Sequence, residues 1–166
     1  MNTMRSMKRQ IALVLFFVAV SARSQTTIIL VRHAERASQE ADSLSDAGFA
    51  RARELARVLA SANVGAIYAT QFRRTQQTAA PLAHEYRLTP IVIKTGDTYA
   101  HEVVADVLAH HAGQIVVVVS HSDRIPSLLQ ELGIAKPPAI PMTEYDDLFI
   151  CTSPKLLILR YGVPAR

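Results

Sequence analysis

The chain has 166 residues, 49% of them hydrophobic, with eight prolines, six glycines and a single cysteine. That is enough chain for one ordinary domain and its core, and it contains no low-complexity tract and no internal repeat. Its formal charge of +4 invites a nucleic-acid reading, but Arg5, Lys8 and Arg9 fall in the first 22 residues, where there is no acid. The rest is close to neutral and lacks the basic footprint that nucleic-acid binding requires, so that class is excluded.

Residues 1–22 read as a secretory signal. Arg5, Lys8 and Arg9 make a positive start, Ile11 to Val20 is continuously apolar, and Val20-Ser21-Ala22 or Ala22-Arg23-Ser24 supplies the small residues of a cleavage site, as late as residue 24. The apolar stretch is too short to span roughly 30 Å of hydrocarbon. The expectation is export to the periplasm or the medium, no stable membrane anchor after cleavage, and one domain over residues 25–166. Cys151 is alone, so no intramolecular disulfide forms even in an oxidising compartment. It sits in the apolar run Leu148-Phe149-Ile150-Cys151, where a buried, inert thiol is expected.

Thr27-Ile28-Ile29-Leu30-Val31-Arg32-His33-Ala34-Glu35 is the stretch around which the rest is organised. An unbroken apolar run of this kind is a strand buried on both faces of an α/β sheet. It ends abruptly in Arg32 and His33, at the strand's carboxyl end, where open α/β sheets place their ligand crevice. A polar loop follows from Ala37 to Ser43. Leu44-Ser45-Asp46-Ala47-Gly48 then opens a helix, capped by Ser45 or Asp46. Ala52, Leu55, Ala56 and Leu59 give its buried stripe, and Arg51, Arg53, Glu54 and Arg57 its solvated side.

Ala66 to Thr70 reads as the second strand, running into Arg73 and Arg74 at the start of a helix with apolar spacing through Tyr86. Pro81 inside that pattern is expected to kink or shorten it. Two adjacent arginines there fit either an oxyanion cradle, because guanidinium groups match phosphate bidentately, or an ordinary surface pair. Thr89 to Ile93 is a short third strand placed near an edge by Pro90. Gly96-Asp97-Thr98 is a turn, with Asp97 read as the cap, into a helix striped by Val103, Val104, Val107 and Leu108. His110 and His111 are neighbours that do not face one site on a helix, so a solvated helix end is expected there.

Ile115 to Val119 is five consecutive β-branched residues, and again a histidine, His121, follows the strand. Ser122 or Asp123 is expected to cap the next helix, with Pro126 in its first turn. A proline-rich loop from Gly133 to Pro141 leads to two final strands, Tyr145 to Thr152 and Leu156 to Tyr161, with no helix between them. The fold class is therefore α/β: a three-layer, mostly parallel, doubly wound sheet with helices on both faces and an antiparallel C-terminal edge hairpin.

Parallel strands joined by helices bring their carboxyl ends to one rim. Arg32, His33, Arg74 and His121 all lie at such ends, which describes a pocket for a tetrahedral dianion with a nucleophile inside it. Phosphoryl transfer needs positioning and charge stabilisation above all, and a neutral imidazole can attack phosphorus and form a covalent intermediate.

These motifs resemble the histidine phosphatase superfamily, also called phosphoglycerate mutase-like, and especially its small bacterial phosphohistidine-phosphatase-like branch. Val31-Arg32-His33-Ala34 resembles the family's Arg-His-Gly strand end, with Ala34 in place of glycine. Leu44-Ser45-Asp46-Ala47-Gly48 resembles its Leu-Ser/Thr-x-x-Gly stretch. Tyr68 to Ala79 resembles the second-arginine motif, whose register selects Arg74 over Arg73, and Val118-Val119-Ser120-His121-Ser122 resembles the second-histidine strand. The resemblance implies His33 as the phosphorylated nucleophile, with Arg32, Arg74 and His121 as catalytic phosphate ligands and Ser122 beside them. It implies no cofactor and no metal. The family's general acid falls in a window holding Asp97 and Glu102; Glu102 is the candidate named, with Glu35 and the Glu144-Tyr145-Asp146-Asp147 cluster as further carboxylates.

The leading reading is a secreted, metal-independent phosphatase acting on a small phosphate ester or a phosphoprotein. A catalytically weak phosphate- or sugar-phosphate-binding module is the alternative if the acid is missing. A metallohydrolase using His33, His121 and carboxylates is disfavoured, because Arg32 and Arg74 would repel a divalent cation. The sequence leaves the oligomeric state open.

Overall fold

Successive residues of a strand point to opposite faces of a sheet, and here each face of the apolar runs is covered by its own pair of helices. The computed structural model describes residues 25–162, so the signal segment expected over 1–22 lies outside the described residues. The element order is β1 (Thr27–Arg32), α1 (Asp46–Val58), β2 (Val64–Ala69), α2 (Arg73–Tyr86), β3 (Ile91–Val92), α3 (Tyr99–His110), β4 (Ile115–Ser120), α4 (Ile125–Glu131), β5 (Asp147–Thr152) and β6 (Lys155–Arg160). They form one six-stranded sheet ordered β3-β2-β4-β1-β5-β6. β1 to β4 run parallel, β5 lies antiparallel beside β1, and β6 antiparallel beside β5. This is the expected α/β architecture with its C-terminal edge hairpin.

The odd and even residues of the central strands sort into two cores. Ile28 and Leu30 of β1 and Val116 and Val118 of β4 pack with Val103, Val104 and Val107 of α3 and Leu128 and Leu129 of α4. Ile29, Val31, Val117 and Val119 point the other way and pack with Leu55 of α1, Leu59 at its C-cap, and Ala79, Leu82 and Ala83 of α2. Both sets are removed from water, which is why β1 and β4 read as unbroken apolar runs instead of alternating ones.

Ser45 caps α1, its hydroxyl accepting from the Gly48 amide at 3.1 Å. Gly48 is required there because a Cβ would come within 2.2 Å of the Glu35 carbonyl oxygen. That close approach presses the first turn of α1 against the chain just after His33.

Four expectations are corrected. Pro81 does not shorten α2, which continues to Tyr86; burial of Leu82 and Ala83 on its inner side offsets the hydrogen bond that proline cannot make. Neither Ser122 nor Asp123 caps α4, whose N-cap is Arg124 without a side-chain bond; Thr98 likewise takes the N-cap place of α3 that Asp97 was expected to fill. Arg51 is 7% exposed and belongs to the interior, because Glu35 and the Tyr161 carbonyl satisfy its guanidinium.

Candidate active site

The parallel pairing of β1 with β4 sets Arg32 opposite Ser120, and the His33 amide extends that ladder by donating to the Ser120 carbonyl at 2.9 Å. The residues that follow each strand therefore emerge together. The His33 and His121 ring centroids are 5.4 Å apart, and both side chains are buried.

His33 Nδ1 lies 2.8 Å from its neighbour's carbonyl, Ala34 O. A carbonyl only accepts, so Nδ1 carries the proton and Nε2 is left with the lone pair. Burial, aided by the charges of His121, Arg32 and Arg74, lowers the imidazole to about 3 against the pull of the Ala34 bond. His33 is thus neutral near pH 7, with a free nitrogen lone pair. His121 is lowered to about 4, first by burial and then by Arg74, Arg124 and Arg32.

Arg32 Nη1 donates to three carbonyls of the loop that follows α4, those of Pro141 (3.2 Å), Met142 (2.8 Å) and Glu144 (2.8 Å). Its guanidinium carbon stacks 3.9 Å from the Tyr145 ring centroid, a cation–π contact that brings Tyr145 within 6.1 Å of the His33 ring. Arg74 Nη1 is fixed by Asp42 Oδ1 at 2.8 Å, and Nη2 approaches His121 Nδ1 at 3.5 Å. In both arginines Nε is buried and without a hydrogen-bond partner. Two charged donors of this kind are costly to leave unpaired, and both arginines are near enough for their charges to act on the His33 imidazole.

Arg73 is exposed and contributes its backbone amide to Asp42 Oδ2 at 3.0 Å. The structure therefore brings Arg32, His33, Arg74 and His121 together and leaves Arg73 outside. Burial alone would raise the Asp42 carboxyl, but the Arg73 amide and the Arg74 guanidinium outweigh it and hold the group below its usual range. Ser122 sits beside the pocket, its hydroxyl 3.7 Å from the Met142 sulfur.

Ala34 is fully buried and its methyl packs with Leu44 and Ala52. Its amide donates to Thr78 Oγ1, which in turn donates to the Arg74 carbonyl. The extra carbon relative to glycine fills a small apolar cluster behind the site.

The carboxylate candidates are placed elsewhere. Glu35 is bound by Arg51 at 2.6 Å. Glu144, Asp146 and Asp147 surround Arg160. Glu102 is exposed, accepts from Thr98 Oγ1, and lines an open groove with Val92, Lys94, Asp106 and His110. Cys151 is buried, and burial pushes its thiol up. Among the described residues no group of three or more His, Cys, Asp or Glu side chains could hold a metal ion. Sequence reasoning missed Asp42, Thr70 and the stacking of Tyr145 on Arg32. The first two are short polar residues in a loop and at a strand end, and nothing local distinguishes them from solvated ones.

A buried neutral imidazole framed by unspent guanidinium donors, at the carboxyl rim of an α/β sheet, defines a phosphatase. Residues 28–96 match the model of the histidine phosphatase superfamily (branch 1), and the second histidine and the remaining strands follow in the same fold. Over that stretch the chain is similar to the histidine phosphatase superfamily. No match is found among curated proteins.

Three solved structures show the same fold. The mycobacterial glucosyl-3-phosphoglycerate phosphatase aligns with TM-score 0.62 and 19% identity over 75% of this chain and 88% of that one. A phosphoserine phosphatase from Entamoeba histolytica, solved with 3-phosphoglyceric acid, aligns with TM-score 0.59 and 17% identity over 83% and 97%. A protein provisionally assigned as a phosphohistidine phosphatase from Agrobacterium tumefaciens aligns with TM-score 0.58 and 19% identity over 84% and 99%.

Proposed function

We propose that this protein is an exported, metal-independent phosphatase that hydrolyses phosphomonoesters or phosphohistidine through a covalent intermediate on His33. The observation that carries this reading is the Nδ1 bond of His33 to the Ala34 carbonyl, which leaves Nε2 free in a site where Arg32 and Arg74 act on the ring and keep buried Nε–H groups without a partner. Nε2 attacks phosphorus, the phosphorus–oxygen or phosphorus–nitrogen bond of the substrate breaks, and the leaving group takes a proton. Water then attacks the phosphohistidine, releasing inorganic phosphate and restoring the imidazole. Arg32, Arg74 and His121 hold the phosphoryl oxygens, and preorganised donors of this type each contribute roughly 10²-fold or more.

The relatives' names support the reaction class: they act on a sugar–phosphoglycerate ester, phosphoserine and phosphohistidine by name, which spans the substrate range proposed here. Export rests on the N-terminal segment read from the sequence. The test is rapid quench of purified protein with a labelled phosphate ester, followed by peptide mapping. Label on the peptide holding His33, acid-labile and base-stable, and absent from His33→Ala, is expected; turnover by His33→Ala, or its abolition by a chelator, would overturn the proposal.

A further inference from the structure

Among the described residues β6 is a free edge of the sheet, and its chemistry is unsuited to remaining free. Between Lys155 and Arg160 it reads Leu156-Leu157-Ile158-Leu159, with neither proline nor glycine. Leu157, Ile158 and Leu159 are 54%, 43% and 45% exposed. An open row of backbone N–H and C=O groups is a template for another strand, and edges meant to stay open are blunted by charge, proline, bulges or cover. Here charge stands only at the two ends.

The hairpin fixes which backbone groups face outward. Thr152 and Lys155 pair across a two-residue turn, so they form a hydrogen-bonded pair, and such pairs recur at every second position. The Tyr161 amide donates to the Asp146 carbonyl at 2.9 Å, in the same phase. Lys155, Leu157 and Leu159 therefore spend their backbone groups on β5, and those of Leu156, Ile158 and Arg160 point away from the sheet.

We infer that β6 pairs antiparallel with β6 of a second copy of this chain, about a two-fold axis at Ile158. Such an axis stands perpendicular to the sheet and sets one residue opposite itself. With Ile158 there, its outward groups bond to those of its copy, and Leu156 bonds to Arg160 in both directions, so every outward group is used. An axis at Leu157 would instead set Arg160 against Pro154, which has no N–H. The same register lays Leu157 against Leu159 twice, closing four leucines over one face. The charges agree as well. Antiparallel pairing carries Lys155 to the end of the other strand, where the carboxylates of Glu144, Asp146 and Asp147 lie 3.3, 3.5 and 3.5 Å from the single guanidinium of Arg160. The two sheets become one, with the phosphatase sites outside the contact.

The experiment is sedimentation velocity on the purified protein across concentration, with a register-specific cross-link. The wild type should sediment as a dimer, and Ile158→Lys, which sets like charges against each other on the axis, as a monomer of unchanged phosphatase activity. Ile158→Cys should form an intermolecular disulfide on mild oxidation, because hydrogen-bonded antiparallel pairs hold their Cα atoms about 5.5 Å apart; Leu156→Cys should not, since it faces Arg160. Lys155→Glu, at an exposed end where folding is not at stake, should weaken the dimer without affecting activity. A monomeric wild type overturns the inference, whether it stays free or floats with lipid vesicles. So does a dimer that survives Ile158→Lys, or one cross-linked equally by both cysteines.

Discussion

Thr70 Oγ1 lies 3.0 Å from His121 Nε2, and this contact decides which nitrogen of that imidazole carries the proton. The Thr75 hydroxyl is committed to the Phe72 carbonyl at 2.8 Å. Thr70 must then donate to Thr75 Oγ1, 2.9 Å away, and accept from His121 Nε2–H. Nδ1 keeps its lone pair, where Arg74 Nη2 stands at 3.5 Å. When a phosphoryl dianion arrives, Nδ1 is the only ring position able to take up a proton and donate to it.

Thr70→Val should therefore cost about tenfold or more in kcat/KM, within the range for a lost buried hydrogen bond, with Thr70→Ser restoring most of it. The decisive readout is nitrogen NMR of the His121 ring. Loss of the Nε2–H form in the valine variant is expected, and an unchanged tautomer at full activity would remove Thr70 from the machinery.

Asp42 makes the next prediction. It grips both the Arg73 amide and the Arg74 guanidinium, so the Ala37–Ser43 loop aims the second arginine. Arg74→Ala should lower kcat/KM by roughly 10²-fold or more, and Arg73→Ala should be nearly silent. Asp42→Asn should fall between them, chiefly as raised KM. Equal losses for the two arginines, measured on one substrate, would show that the phosphate ligand is misassigned.

The balance between legible and hidden features follows from where each signal resides. β1 and β4 were readable because burial on both faces forces unbroken apolar runs, and Arg32, His33 and His121 were readable because they end those runs. Arg74 needed its motif register, since Arg73 beside it is equally basic. Arg51 was misread as solvated because its helical position faces Glu35 and Tyr161, which only the tertiary fold brings near. Asp42, Thr70 and Tyr145 act across 32, 51 and 113 positions of chain; no local period marks such contacts.

The depressed histidines predict acid sensitivity. His33 and His121 fall to about 3 and about 4 in the folded chain, against about 6.5 when unfolded. Below pH 6.5 the unfolded chain binds more protons, so stability falls as pH drops from 6.5 toward those values. At pH 4 each histidine should have withdrawn roughly 3 kcal/mol. Thermal melting from pH 7 to 4 should show a steep loss, reduced in His33→Ala and His121→Ala. A flat profile in the wild type would mean that neither ring is held neutral by burial.

The last prediction concerns the proton that the leaving group needs. An alkoxide requires it in the transition state, typically a 10²–10⁴-fold contribution from a positioned acid, whereas an aryl oxide or an imidazole leaves with little help. Glu102 shares with Asp97 the window of the family's acid, yet its side chain is exposed, bonded to Thr98, and turned to the groove shared with Lys94 and Asp106. Glu35 is committed to Arg51. With those two spent elsewhere, the wild type should favour activated leaving groups, and log kcat/KM should fall steeply as leaving-group pKa rises. Glu102→Gln should shift the whole series by less than about threefold and leave its slope unchanged, since an exposed side chain outside the pocket makes no contact specific to the transition state. The measurement is kcat/KM over a graded series of aryl and alkyl phosphates for wild type, Glu102→Gln and Glu35→Gln. A selective loss on alkyl phosphates in Glu102→Gln would make that residue the acid after all and would require α3 to move toward His33 when substrate binds.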